Sequence, residues 1–431
     1  VLPQGLDVEV MKTGGVGGLY FSIDQARFIS DQLLSSPRLA SSVSAVAPQI
    51  DGRLLYIRTM SGPEQAVRAI GEIPGRTRAV RGEIALESGK WEDDGQDRKW
   101  VSPTPEELRH EIDHFHVPPS GAANLDSWAE WHYFNVLSAD GKRWAFISLI
   151  VGGDVTSDKW GGSVAITLRE QETGSRKFES VVDRTAVDFS TASANLRIGS
   201  SAVTVLPNGD YQVVATAQGG DGPVAVNLVV SPVSRAYFPG ASLGSDAFVS
   251  GYAVPALRAT ASGSICVSGK CEVYDAVQSY HDHNWGVWRG VSWDWGASRA
   301  GAYTILYGRV IAPGAKREAP LFVYLIDSLG FKAVMRPATI EYTDGRTTTV
   351  AGKQIEVPSR AVFADVRGPD TLRVQLDIED AIATDMRQSS QPDKSFGKQH
   401  FIQMKGTATL SGRVGGEPVS GTGTGFFETY R

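Results

Sequence analysis

Along most of the chain, apolar and polar residues alternate in short runs broken by Gly, Asp and Asn, the period-two pattern of half-buried strands. Trp144 to Val151, Ser163 to Arg169, Tyr211 to Ala217, Val224 to Val230, Tyr303 to Ile311, Leu321 to Ile326 and Thr371 to Ile378 all read this way. Helical spacing is rare. Its clearest instance is Ser22 to Leu34, where Ser22 can cap the N-terminus and Ile23, Ala26, Ile29 and Leu33 share a face. Thr104, Pro105, Glu106 and Glu107 spell a second, shorter helix start.

Breaks in the pattern divide the chain. The charged stretch from Glu87 to Pro103 reads as a solvated linker, and a second break falls between Tyr237 and Pro255. The expected organisation is an N-terminal segment of undetermined fold over residues 1–100, a first β unit over 101–254 and a second over 255–431. The second opens with a hairpin that runs from Ala259 to Cys266 and returns from Cys271 to Tyr280.

Composition narrows the class. A length of 431 residues allows two or three domains with a sizeable core. Lys and Arg total 42 against 48 Asp and Glu, a net charge of -6 without blocks of like sign, which argues against a nucleic-acid partner. No apolar run approaches the roughly 20 residues that span a bilayer, so a membrane would matter only as the source of a substrate. The two cysteines, Cys266 and Cys271, flank Val-Ser-Gly-Lys, a spacer suited to a tight turn between strands. A disulfide there implies an oxidising compartment; two free thiols are the alternative. With Val1 as the first residue, the expected location is secreted or periplasmic.

Candidate chemistry gathers in three places. Tyr280-His281-Asp282-His283-Asn284-Trp285-Gly286, followed by Trp288, Trp293 and Trp295, joins an acid and a phenol to a tryptophan cluster. Strand alternation sets Tyr280, Asp282 and Asn284 on one face and His281 and His283 on the other. Carried back along the strand, it aligns Asp282 with Glu272, Tyr274, Ala276 and Gln278, a mixed face that suits a barrel interior. Desolvation there would raise the Asp282 carboxyl and make it a general acid, with Tyr280 orienting it. A buried aromatic cluster with a hydrogen-bonded Asp is the bland alternative. The other two stretches are Asp113-His114-Phe115-His116 and Trp128 to Asn135, in which Glu130, His132 and Phe134 oppose Trp131, Tyr133 and Asn135. Five of the seven histidines fall in these segments. A zinc site can be argued from them, but their spacing matches no standard ligand pattern, and no metal is expected. Gly14 to Gly18 lacks the Lys-Ser/Thr of a P-loop, the alternating Gly421, Gly423 and Gly425 suit close strand packing, and no Gly-x-Ser-x-Gly elbow supports a serine hydrolase.

The Asp113-His114-x-His116 stretch, the Glu130-Trp131-His132-Tyr133-Phe134 strand and the Tyr280 to Gly286 strand together resemble the carotenoid 1,2-hydratase family, also called hydroxyneurosporene synthase-like proteins. Fungal pericyclases of the Diels-Alderase type look like distant members. The resemblance runs from about His110 to the C-terminus, where Gly423, Gly425 and Glu428 match the family's closing pattern. It implies a pair of lipocalin-like antiparallel β-barrels and cofactor-free chemistry on an apolar isoprenoid or polyene in a pocket between them. In the hydratases a Tyr-x-Asp pair is associated with protonating a terminal double bond, here Tyr280 and Asp282, and water then captures the cation. Tryptophan faces would favour that cation by up to about 2 kcal/mol. The sequence departs from the family at His132, where a second Trp is commoner, and over Phe248 to Val254, which lacks the expected His and Trp.

The resulting expectation is a mostly β protein acting as a hydratase or cyclase without cofactor. Its catalytic candidates are Asp282, Tyr280, His281 and His283. The substrate-binding candidates are Asn284, Trp285, Trp288, Glu130, Trp131, His132 and Tyr133. A lipocalin-type binding protein for a lipid or pigment, and a secreted hydrolase, are the competing readings.

Overall fold

A computed structural model describes residues 113–118 and 122–430, apart from short stretches at 171–173, 234–235, 246–247, 313–320, 328–329, 344, 351, 368–369, 386–399 and 415–416. Before residue 113 it describes only the backbone of five short strands within residues 9–69. The expected helices at Ser22 to Leu34 and after Thr104, and the linker from Glu87 to Pro103, lie outside the described residues.

The alternating runs do form strands, and the described residues are nearly all β. Eight of them make a closed antiparallel barrel in simple sequential order: β1 (Trp128–Leu137), β2 (Arg143–Asp154), β3 (Lys159–Glu170), β4 (Gly174–Asp183), β5 (Tyr211–Gly219), β6 (Gly222–Pro232), β7 (Phe248–Val267) and β8 (Lys270–Val287). Pairing of β8 with β1 closes the ring. Most inward positions are apolar, among them Ile147, Leu149, Val164, Ile166, Val213, Val226 and Leu228, all at most 1% exposed, so hydrophobic burial drives closure.

This pairing moves the domain boundary. The hairpin β7–β8 completes the first barrel and does not begin the second unit. Pro255, which looked like a break, sits inside β7 where the register shifts between Ala253 and Ala256. Proline cannot donate to a ladder, and a bulge is one of the few strand-interior places that tolerate it. The two motif strands are therefore direct neighbours in one barrel, with Asp282 opposite Tyr133 and His283 opposite His132.

Residues 292–430 form a second antiparallel sheet: β9 (Ser292–Ala300), β10 (Tyr303–Ile311), β11 (Phe322–Asp327), β12 (Gly330–Met335), β13 (Glu341–Thr343), β14 (Arg360–Arg367), β15 (Asp370–Asp385), β16 (His400–Val414) and β17 (Glu417–Tyr430). It repeats the first plan, since its first and last strands, β9 and β17, pair. Among the described residues no ladder joins β12 to β14 or β13, so the sheet curls without closing. One face packs inward through Tyr307, Phe363 and Phe427. The other lies against the outer wall of the first barrel, where Phe426 and Ile382 meet Trp144 and Phe146. Arg169 adds a bidentate pair across this junction to Asp380, at 2.6 and 2.8 Å.

At the β7–β8 turn Cys266 and Cys271 are cross-strand partners joined in a disulfide, with Ser268 and Gly269 at the tip. Both tip residues have positive φ, 48° and 82°, as a two-residue hairpin turn of matching twist requires. Among the described residues no helix is long and apolar enough to cross a membrane.

Candidate functional site

Strand β8 separates two polar sites, and a bulge determines which side chain serves which. Between Ala261 and Gly263 of β7 the facing strand spends one extra residue, Ala276 adopts φ 47°, and its N–H donates to Ser262 Oγ at 2.9 Å. The extra residue shifts the alternation by one place. Tyr274 and Val277 consequently point into the barrel along with His281 and His283, and Asp282 does not share a face with Tyr274. Asp282 looks outward, toward the second sheet. The expectation of an Asp in the barrel interior is thus corrected: the interior holds the histidines.

The outward face opens on a pocket of about 910 Å³ between the first barrel's wall and the second sheet. Trp131, Tyr133, Trp288, Trp293, Trp295 and Tyr430 form its aromatic lining. Asp282, 4% exposed, reaches it with both oxygens engaged: Oδ2 accepts from the Tyr280 hydroxyl at 2.7 Å and Oδ1 from Asn284 Nδ2 at 2.6 Å. The Tyr280 oxygen in turn accepts from Trp295 Nε1 at 3.0 Å. Burial pushes the Asp282 carboxyl up to about 6, against the pull of these hydrogen bonds and of the nearby His281.

A second acid, which sequence reasoning did not place in the site, faces the same pocket. Glu428 of β17 accepts from Trp293 Nε1 at 3.1 Å and from Gln403 Nε2 at 3.4 Å. Burial, and then the charge of Asp282, push it up to about 7. The two carboxyls thus sense one another, and such a pair shares its protons as a unit. Tyr133 stands between them in effect, its phenol raised by burial and by both acids. Tyr252, 1% exposed, also lines the pocket, with a hydroxyl that has no hydrogen-bond partner among the described residues. The sequence carried a signal for Glu428: an acid that follows alternating glycines and sits among aromatics, on the face of Phe426 and Tyr430.

Of the expected binding residues, Asn284, Trp131, Tyr133 and Trp288 line the pocket. Glu130, His132 and Trp285 do not. They belong to the inward face, as their positions in alternation with Phe134 and His283 dictate. Trp285 stacks on His116 with ring centroids 3.7 Å apart, at the barrel's mouth.

Inside the barrel, Asp113 is fully buried among imidazoles. It receives the Tyr211 hydroxyl at 2.7 Å, with His283 Nδ1 at 2.6 Å, His281 Nε2 at 3.3 Å and His132 Nδ1 at 3.6 Å. Glu130 Oε1 lies 2.9 Å from His283 Nε2 and 2.8 Å from His116 Nδ1. His281 and His283 are therefore separated by the strand itself from the pocket that Asp282 faces. Asp113 with His132 and His283, and Glu130 with His116 and His283, are each spaced as metal ligands would be.

No family model matches the chain, and no curated protein matches its sequence. Its fold is similar to that of a protein assigned as AttH from Nitrosomonas europaea, at 14% identity, over 74% of this chain and 98% of that one, with a TM-score of 0.51. Kievitone hydratase from Nectria haematococca is similar at 14% identity over 74% and 94%, with a TM-score of 0.44. CghA, in a complex with Sch210972, is similar at 15% identity over 77% and 96%, with a TM-score of 0.46. The first of these shows a shared paired-sheet fold.

Proposed function

We propose that the pocket between the two sheets catalyses proton-initiated hydration or cyclisation of an apolar unsaturated molecule, of isoprenoid or polyene type, with Asp282 and Glu428 acting as a pair. The observation that carries this reading is two mutually sensing carboxyls, pushed up to about 6 and about 7, opening on one aromatic-lined cavity. Near neutral pH such a pair keeps one proton and one charge, which is what an acid and a base working together require.

In the hydration version, the protonated member gives its proton to one carbon of a double bond. The π electrons form the new C–H bond, and the other carbon becomes a cation facing the tryptophans, where an aromatic face favours positive charge by up to about 2 kcal/mol. Water adds its oxygen to that carbon, and the ionised carboxylate takes the proton that water releases. One water is consumed, and a proton passes from one carboxyl to the other. In the cyclisation version a second double bond captures the cation in place of water, and the ionised carboxylate takes a proton from the carbon beside the new cationic centre, leaving a double bond in the ring product. Tyr280 and Asn284 hold Asp282 in position, and the unpartnered Tyr252 hydroxyl supplies a polar contact for the substrate or for the attacking water. The histidines His281 and His283 take no direct part. The disulfide supports a place in an oxidising compartment, secreted or periplasmic.

The test begins with native mass spectrometry of the purified protein to name a co-purifying apolar ligand. Turnover of that ligand in D2O should leave deuterium on carbon. Asp282→Asn and Glu428→Gln should each lower turnover by roughly 10² to 10⁴ with affinity retained. Unchanged turnover in both variants would refute the carboxyl pair as the acid and base, and tight binding without turnover in the natural protein would hand the pocket to the lipocalin-type binding reading.

A further inference from the structure

The interior of the first barrel presents a hydrogen-bonding imbalance that protons alone resolve poorly. His132 Nε2 lies 2.9 Å from the Ala194 carbonyl, and His281 Nδ1 lies 3.0 Å from the Tyr133 carbonyl. A carbonyl only accepts, so each of these nitrogens carries the ring's hydrogen. The opposite nitrogen of each neutral ring then presents a lone pair, and both face Asp113, which as a carboxylate also only accepts. His132 Nδ1 indeed has no hydrogen-bond partner among the described residues although its residue is fully buried. His283 repeats the pattern with a carboxylate at each end, Asp113 at Nδ1 and Glu130 at Nε2. Tyr211 and His283 can satisfy one oxygen of Asp113 each, but for His132 Nδ1 and His281 Nε2 to donate to it as well, with His283 donating to a carboxylate at each end, all three rings would have to be cations. His132 and His283 have ring centroids only 4.4 Å apart, and His132 and His281 are 5.2 Å apart. Three such charges against two carboxylates would leave a net positive charge sealed in an apolar barrel, at a cost of several kcal/mol.

We propose that this interior holds one divalent transition-metal ion, zinc being the first probe, bound by Asp113 Oδ1, His132 Nδ1 and His283 Nδ1. Those three atoms lie within 4.8 Å of one another. The ion takes the facing lone pairs and replaces the extra protons, and its two positive charges balance Asp113 and Glu130. For His132 the outer nitrogen is held by the Ala194 carbonyl, as metal-bound histidines need, and Glu130 Oε1 lies 2.9 Å from the outer nitrogen of His283, an ion-pair contact without hydrogen-bond alignment. The Tyr211 hydroxyl on Asp113 Oδ2 orients the carboxylate in the same way. His281 Nε2, at 3.3 Å from Oδ2, is a third imidazole beside the site. The ion would be structural. It ties the segment at residue 113 to β1 and β8 and fixes the strand whose other face carries Asp282.

The experiment uses the full chain, expressed without a histidine tag. Elemental analysis by mass spectrometry should find about one equivalent of transition metal per chain. Removal with a chelator should lower the melting temperature by several degrees, and zinc should restore it. Cobalt added to the stripped protein should give visible d–d absorption. His132→Gln should abolish the cobalt spectrum, whereas His116→Gln should preserve both spectrum and stoichiometry. If His132→Gln does not fold, the natural protein's metal content and cobalt spectrum still decide the matter. Trace metal, no cobalt spectrum and a melting temperature indifferent to chelator and zinc would overturn the proposal and leave a hydrogen-bonded plug. Loss of metal in His116→Gln but not in His132→Gln would overturn the assignment to Asp113 and His132.

Discussion

Replacing Glu428 by Gln should make the protein more stable at pH 8 and leave it almost unchanged at pH 4.5. The reason lies in linkage between ionisation and folding. Glu428 is pushed from the usual 4.5 up to about 7 in the folded state, by burial first and by the charge of Asp282 second. Below about 4.5 both folded and unfolded chains carry the proton, and the group contributes no difference. As pH rises through the interval to 7, the unfolded chain releases the proton while the folded one keeps it, so stability falls with pH. Above 7 the loss is complete. At 1.36 kcal/mol per pH unit the interval is worth roughly 3 kcal/mol, and partial contact with solvent in the pocket reduces this to about 2 kcal/mol. Gln has nearly the same shape, can still accept from Trp293 Nε1, and never ionises. The variant should therefore melt a few degrees above the natural protein at pH 8, at about 2–4 °C per kcal/mol for chains of 150–250 residues and somewhat less here. Thermal unfolding followed by circular dichroism at the two pH values measures the gap, and no substrate is needed. An equal gap at pH 4.5 and pH 8 would mean that Glu428 titrates normally, and the proposed carboxyl pair would lose its basis.

Other outcomes follow from packing and charge. Replacing Cys266 and Cys271 by Ser together should cost about 2 kcal/mol in urea unfolding, because the closed loop is short, while the barrel still folds; alkylation of both cysteines in unreduced, unfolded protein would show that the bond is absent. Gly251→Ala should cost about 1–3 kcal/mol, since the new methyl would collide with the Trp285 ring, and the stacked Trp285 fluorescence should change with it. Arg309→Met should cost about 3–5 kcal/mol, because it strands the buried Asp294 carboxylate that Arg309 meets at 2.6 Å, with only the Tyr342 and Thr429 hydroxyls left. A loss below about 1 kcal/mol would show that the two hydroxyls alone hold Asp294.

Regular strands were legible from sequence, and irregular ones were not. In β1 the alternation runs unbroken, so its two faces, Glu130 with His132 and Trp131 with Tyr133, stand where the spacing predicts. In β8 the same reasoning holds from Val277 to Trp285 and fails behind it, because Ala276 gives no warning of a left-handed conformation that Gly or Asn would have signalled. Pro255 misled for a related reason: a residue that usually ends strands occupies a bulge within one. The resemblance to a paired-barrel family anticipated the two consecutive antiparallel units, and the second is an open curled sheet. Glu428 escaped because its meeting with Asp282 joins strands 146 positions apart, a contact that no local pattern encodes.

The bulge at Ala276 also makes this protein sensitive to the parity of its residue count. Side chains on β8 are sorted to histidine interior or acid pocket only by odd or even position beyond that point. Deleting one residue between Val277 and Tyr280 would exchange the two sets, turning Asp282 and Asn284 into the sealed barrel and His281 and His283 out to the cavity. Deleting two would shorten the strand and keep every group on its own side. Single-residue insertions and deletions should therefore be absent from this stretch in working relatives, whereas changes ahead of the bulge, in the Cys266–Cys271 hairpin tip, remain tolerable whenever the bulge can absorb the odd residue.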